Sequence, residues 1–278
     1  MKKNKDKILS HNLSSLLKKF ENSDVIVDME KEYQSSSLTY IETNLINDNH
    51  YLKKAKISED IVNKIVKSQI ENGFKSPLVV RKVKDYYEIV LGRKRLAAAK
   101  KAKIESIPVV IIDVSDEEML LILLADNRDQ RESNVVETAL LCRELTTNYG
   151  YSQSQLSEFI HQSRCQITNI MRLLTLPDSI LNDISIGKLS YGHAKALVSL
   201  PESIIQETIQ EIYTYGLSVR EVENIVKRYK NQAKEVFDEE KRLNHKYHSL
   251  TTIKKKSITF NFDSEEDKRT FIINLLNM

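Results

Sequence analysis

At 278 residues, and at ~100–200 residues per domain, the chain has room for two domains and a small third. Hydrophobic residues at 41% and charged residues at 29% exclude a disordered chain, and only 6 Gly and 4 Pro argue against a sandwich or barrel built on tight turns. A net charge of +3 leaves any nucleic-acid surface to local clustering.

Residues 1–37 read as a basic N-terminal tail. Lys2, Lys3, Lys5 and Lys7 precede Leu9, Leu13, Leu16, Leu17 and Phe20 at helical spacing, and polar Glu30–Ser37 reads as a linker. No secretory signal opens the chain, and no apolar run nears the ~20 residues that span a bilayer, so a cytoplasmic protein is expected. Residues 38–126 alternate short strands and helices. A strand is expected at Leu38–Ile41, and a helix at Ser58–Asn72, capped by Ser58, with Ile61, Ile65 and Ile70 inward. Pro77–Val83 and Tyr86–Leu91 flank a charged turn at Lys84-Asp85 and read as a hairpin. Arg93–Ala102 is helical and Ile107–Asp113 a strand. Ser115 and Glu118 form a capping box that starts a helix through Leu124.

From about residue 134 the pattern is helical, with further capping boxes at Ser152/Gln155, Ser163/Gln166 and Ser218/Glu221. A charged linker is expected at Asn231–Arg242. A strand at Lys256–Phe262 and a last helix, capped from Ser264 and running to Leu276, close the chain. Cys142 and Cys165 have no zinc or redox spacing and read as buried or surface thiols in a reducing compartment. His245 and His248 lack further ligands and read as solvated.

Three segments carry functional signals. Ser152–Ile160, a turn at His161-Gln162-Ser163 and Arg164–Leu174 form two short helices whose Leu156, Ile160, Ile167, Ile170 and Leu174 would share a core. Arg164, Cys165, Gln166, Thr168, Asn169 and Arg172 are left outward. Arg, Gln, Thr and Asn there suit major-groove base edges and phosphates, while an ordinary helical hairpin with a solvated face would share the pattern. Between Arg81 and Lys103 nine Lys or Arg face only Asp85 and Glu88, and Gly92-Arg93-Lys94-Arg95 joins a strand to a helix. Such a junction offers free N–H groups to a phosphate, or is simply a solvated basic helix. Asp126-Asn127-Arg128-Asp129, past the end of its helix, offers oxygen ligands to a nucleotide-bound Mg²⁺ or is a plain surface loop.

The order Gly73-Phe-Lys-Ser-Pro77-Leu78, Gly92–Arg95, Asp126-Asn127, the helix-turn-helix, Gly192-His193-Ala-Lys195-Ala-Leu197 and Leu217-Ser-Val-Arg220-Glu221 resembles the ParB family of chromosome- and plasmid-partition proteins, over about residues 38–230. The resemblance implies an α+β N-terminal nucleotide-binding domain (38–131), an all-α helix-turn-helix middle domain (132–232) and a small C-terminal strand–helix dimerisation unit (243–278), behind the tail (1–37). It implies a nucleoid-associated homodimer that binds a palindromic parS-like site in double-stranded DNA. CTP with Mg²⁺ would close that dimer into a sliding clamp. A ParA-type ATPase would be its partner through the tail, which Lys7–Phe20 resembles.

By position, the resemblance places Gly73, Ser76, Pro77, Gly92, Arg93, Lys94, Arg95 and Asn127 at the nucleotide and Asp126 with Asn127 at its metal. It places Ser163, Arg164, Gln166, Thr168, Asn169, Arg172, His193, Lys195 and Arg220 at DNA, with Lys254-Lys255-Lys256 either touching DNA non-specifically or discouraging strand pairing. Five positions depart from the family. Arg93 replaces the glutamate and Lys94 an arginine of its Gly-Glu-Arg-Arg motif, and Ala97 stands where a further Arg is common. Asp126 replaces the Glu of Glu-Asn-x-x-Arg, whose arginine is either displaced to Arg131 or replaced by Gln130. Arg93 keeps phosphate affinity but removes an acid that could orient water or metal, so CTP binding with weak or no hydrolysis is expected. Two alternatives share these features. One is a nucleoid-occlusion factor whose tail lies on a membrane, and the other a helix-turn-helix transcription regulator with a decayed pocket. A sulfiredoxin-like enzyme is excluded, because no Cys lies within residues 73–131.

Overall fold

A computed structural model describes residues 39–74, 76–129, 134–247, 249–254 and 257–276. The tail at 1–37, Gln130, Arg131, His248, Lys255 and Lys256 therefore lie outside the described residues. The chain divides into two compact units between Val198 and Ser199.

The first unit opens with β1 (Thr39–Glu42), β2 (Ile46–Asn47), α1 (Glu59–Asn72), β3 (Leu78–Val83), β4 (Tyr86–Leu91), α2 (Arg93–Lys101), β5 (Ser106–Ile112) and α3 (Asp116–Asp129). The strands form one sheet in the order β1-β5-β3-β4-β2, mixed in direction because β5 runs parallel to β3 and β2 parallel to β4. The β3–β4 hairpin turns at Lys84, which takes a positive φ of 49°. Alternating residues of the sheet, Leu78, Val80, Ile107 and Val109 among them, meet Leu96 and Ala99 of α2 in one core. Each large aliphatic buried there contributes about 1.5–3 kcal/mol relative to exposure. β3 pairs Val79 with Leu91 but Val80 with Ile89, so β4 carries an extra residue, Val90. Such a bulge bends the strand and re-aims its C-terminal end, here the approach to Gly92.

Ser58 precedes α1 without a side-chain capping bond, and two further expectations for α1 and α3 fail for identifiable reasons. Ile70 is 72% exposed, and it is Val62 and Gln69 of α1 that are buried. The stripe at 62, 65 and 69 faces inward, and Ile70 lies about 100° round the helix from Gln69. The Gln69 Nε2 donates instead to the Arg95 carbonyl at 3.2 Å. The helix expected to stop at Leu124 continues to Asp129, because nothing in Asp126-Asn127-Arg128 breaks it. Asp126 and Asn127 thus sit in its last turns rather than in a loop.

The same unit continues with α4 (Val135–Asn148), α5 (Gln153–Phe159), α6 (Arg164–Arg172), a 3-10 turn at Leu173–Thr175, α7 (Asp178–Ser185) and α8 (Tyr191–Leu197). Reciprocal capping boxes start both α5 and α6. His161 supplies the positive φ, 53°, that lets the chain turn between them. Leu156, Ile160, Ile167 and Ile170 are buried as expected. Leu174 is only half-buried, because the 3-10 turn changes the phase and puts Leu173 and Leu176 inward instead. Cys142 is buried in α4, which pushes its thiol up to about 12, and Cys165 is exposed on α6.

The second unit holds α9 (Glu202–Tyr215), α10 (Val219–Tyr247), β6 (Ser249–Lys254), β7 (Ser257–Phe262) and α11 (Glu265–Leu276). The charged linker expected at 231–242 is instead the middle of α10. Its charged residues are good helix formers, with no Gly or Pro among them. The helix also supports the strand pair: Glu240 and Asn244, one turn apart, accept the backbone N–H groups of Ile253 and Thr251 in β6. That edge strand, weakly marked in sequence, pairs antiparallel with β7. Phe260, Phe262, Phe271 and Tyr247 pack ring against ring across the unit.

Candidate nucleotide cleft and nucleic-acid interface

Gly92 caps α2 at φ 97°, a conformation that side chains other than glycine's rarely adopt. A Cβ there would stand 2.5 Å from Leu78 Cδ2 and 3.1 Å from Arg95 Nη2. The first N–H groups of a helix have no partner within it, and the start of α2 lines a cleft of about 190 Å³. Gly92, Arg93, Lys94 and Arg95 line it from below, Asp126 and Asn127 from α3, and Leu52, Ile65, Val90 and Leu123 supply an apolar wall. Glu137, from the first turn of α4, completes it.

The cationic side chains divide their duties. Arg95 Nη1 donates to the Ser76 carbonyl at 2.7 Å, the Ser76 Oγ at 2.5 Å and the Pro77 carbonyl at 3.2 Å. It thereby ties the 76–77 loop to α2. Gly73, Ser76 and Pro77 do not line the cleft themselves; Ser76 and Pro77 are tied to it through this arginine. Gly73 ends α1 at φ 67°.

Arg93 lines the cleft and is held by carboxylates. Its Nε and Nη2 bond the two oxygens of Asp48 at 2.6 and 2.8 Å, its Nη1 bonds Glu137 Oε1 at 2.7 Å, and Nη2 also reaches the Leu52 carbonyl at 3.0 Å. Burial works to lower the guanidinium's pKa, but the Asp48 and Glu137 carboxylates outweigh it and the net shift is upward. Asp48 and Glu137 carry no mark in the sequence. They lie 45 and 44 residues from Arg93 along the chain, and no local pattern signals such a pairing.

Oxygen donors for a nucleotide-bound Mg²⁺ are present in the cleft as Asp126 and the buried Asn127. Among the described residues no group of three or more His, Cys, Asp or Glu is arranged to hold a metal by itself. Mg²⁺ that arrives on phosphates needs only one or two protein oxygens, which this pair can supply.

The helix-turn-helix presents α6. Arg164 and Arg172 are exposed and Asn169 half-buried on its outer side, and neither arginine makes an ion pair among the described residues. Ser163 and Gln166 are committed to the cap: Gln166 Oε1 accepts from the Ser163 N–H at 2.8 Å and its hydroxyl at 2.9 Å. Thr168 is half-buried on the same helix. Its hydroxyl lies 2.8 Å from Gln153 Oε1 and 2.9 Å from the Arg164 carbonyl, so it braces α6 against α5. His193 caps α8 with Ser190, at 2.9 Å from Nδ1 to Oγ, and Lys195 is exposed on that helix. Arg220 is exposed in the first turn of α10, in the second unit. No described helix is long and apolar enough to cross a membrane.

Two family models match the chain: the ParB N-terminal domain over residues 27–128 and the ParB HTH domain over residues 131–231. A "Probable chromosome-partitioning protein ParB" of Helicobacter pylori is 33% identical over 69% of this chain and 66% of its own length. One of Campylobacter jejuni is 29% identical over 99% of this chain and 94% of its own. Among solved structures, the C-terminally truncated ParB of Caulobacter crescentus, at 27% identity, matches in its complex with the parS site at a TM-score of 0.41, covering 68% of this chain and 99% of that one. Its complex with CTP-γ-S matches at a TM-score of 0.33, covering 63% and 99%.

Proposed function

The chain belongs to the ParB family, and from that premise we propose that it is a partition protein that reads a parS-like palindrome with α6 and binds CTP at Gly92. The observation that carries this reading is the Gly92 cleft: a glycine-capped helix start flanked by Lys94 and Arg95, with Asn127 opposite. Backbone N–H groups and two cations suit a phosphate chain, and Asp126 with Asn127 suits its Mg²⁺. The apolar wall at Leu52, Ile65, Val90 and Leu123 gives a base or ribose something to pack on.

The DNA side of the proposal rests on Arg164, Asn169 and Arg172. Asn reads adenine edges bidentately, and Arg reads guanine or holds phosphate. His193, Lys195 and Arg220 are proposed as flanking contacts and supports. The second unit supports a homodimer. No residue of α11 is buried, and Leu250, Ile258, Ile273, Leu275 and Leu276 are all more than half exposed. A strand pair and helix with that much apolar surface call for a second copy. Closure of the dimer on DNA when CTP binds, a nucleoid location and a ParA-type ATPase as partner complete the reading. Hydrolysis is proposed to be slow or absent, since position 93 lacks the acid that could orient water.

The test is a titration of the full chain with each of the four nucleoside triphosphates, with and without a parS-containing duplex. CTP binds and the other three do not. Arg95→Ala abolishes CTP binding while initial recognition of the duplex survives. Normal CTP binding by that variant places the pocket elsewhere.

A further inference from the structure

We propose that Arg93 is a positioning residue for this cleft: it neutralises Glu137 and Asp48 and holds the first turn of α4 against the pocket, and it does not contact phosphate. The inference rests on the nucleotide reading of the cleft and assigns a role to a residue at which the chain departs from its family.

Arg93 occupies the first position of α2, where the helix dipole disfavours a cation. Two carboxylates explain its presence there. Asp48 takes the guanidinium in fork geometry through both oxygens, and Glu137 takes the opposite nitrogen. With the Leu52 carbonyl, four of the five guanidinium N–H groups are committed, and the side chain is only 12% exposed.

The carboxylates matter because of where they stand. Glu137 lines the cleft and is itself only 14% exposed, so without a partner it would be a nearly buried charge facing a polyanion. The cleft's lining holds Arg93, Lys94 and Arg95 against Asp126 and Glu137. Without Arg93 that lining is balanced, and Asp48 is uncompensated behind it. A phosphate that engaged Arg93 through more than its one uncommitted N–H would have to displace a carboxylate, which would return that charge to the pocket. Arg93 reaches from α2 to α4, so it also ties the nucleotide loop to the start of the helical region.

Calorimetric titration of the full-length chain with CTP and Mg²⁺ separates this role from direct phosphate contact. Arg93→Ala weakens binding by about tenfold or more, the scale of one unit charge acting at contact range on a polyanion. The double variant Arg93→Ala/Glu137→Gln returns to within about threefold of the wild type, because the offending charge has gone with its partner. A double variant as weak as Arg93→Ala overturns the proposal and makes Arg93 a phosphate ligand. Glu137→Gln alone covers the case in which Arg93→Ala fails to fold, as judged by circular dichroism. It keeps the cation, removes the acid and binds CTP more tightly than the wild type; weaker binding overturns the proposal. A wild-type chain that binds none of the four triphosphates overturns the nucleotide reading and this inference with it. A wild type that binds CTP, with rescue absent, overturns this inference alone.

Discussion

Gly92→Ala tests the geometry on which the cleft depends. A Cβ at this position meets Leu78 Cδ2 at 2.5 Å, a distance real Cβ contacts essentially never show, and the residue must also hold φ at 97°. The backbone strain alone costs about 1–3 kcal/mol. Relieving the clash means moving Leu78, which is fully buried in the sheet core, and overpacking of that kind costs about 1–3 kcal/mol more. The two effects together predict a loss of roughly 2–6 kcal/mol. Gly187→Ala is the control in the same compact unit. It too has a positive φ, 80°, but nothing lies within 4 Å of the added carbon, so it carries the strain without the clash. Urea unfolding of the two variants, followed by circular dichroism, gives the difference. CTP titration should show that Gly92→Ala also loses the nucleotide, since α2 cannot start in the same place. Equal destabilisation of the two variants, or normal CTP binding by Gly92→Ala, would refute the claim that this glycine shapes the cleft.

Asn169→Ala should lose about 1–3 kcal/mol at the specific DNA site, with binding to random duplex nearly unchanged; equal weakening on both, measured by fluorescence anisotropy, would reduce the residue to a phosphate or packing contact. Thr168→Val should behave differently, costing about 0.5–1.5 kcal/mol of folding stability through the lost Gln153 contact while leaving discrimination between sites intact. The buried Glu88 predicts an acid limit. Burial works to raise its pKa, but hydrogen bonds from His50 and Arg81 prevail and the net shift is downward. The folded carboxyl thus holds its proton less tightly than the unfolded one, at about 4.3. Its stabilisation is complete above that value and is lost as pH falls through the lowered folded value. Melting temperature measured from pH 6 to pH 3 should fall less steeply in Glu88→Gln than in the wild type; parallel curves would contradict the assignment.

Much of this architecture is local, and local features were legible. The hairpin around Lys84-Asp85, the two reciprocal capping boxes and the turn at His161 each depend on residues within a few positions of one another. The misreadings share a cause. Residues 231–242 read as a linker because charge density resembles solvation; only the fold reveals that Glu240 and Asn244 hold the edge of β6. Thr168 and Gln153, fifteen residues apart, could not be paired from spacing, so the brace between α5 and α6 carried no mark in the sequence. Ile70 read as core by hydrophobicity, whereas the helix phase gave the inner place to Gln69.

The same limit bears on whether the altered phosphate motif signals decay. A sequence that has lost its glutamate at position 93 is compatible with a pocket drifting out of use, and nothing near Arg93 in the chain argues otherwise. Drift, however, leaves charges without partners. Here the new cation is met by two carboxylates from separate segments, at 2.6–2.8 Å, in a geometry that takes up both oxygens of one of them. The glycine beside it keeps a conformation that only its lack of a side chain permits, and Arg95 keeps three acceptors on the bordering loop. Putting the family's acid back at position 93 would set a third carboxylate against Asp48 and Glu137, so Arg93→Glu alone should cost nucleotide affinity rather than restore turnover. A cation so fully matched by its surroundings fits a pocket in use better than the decayed-pocket regulator.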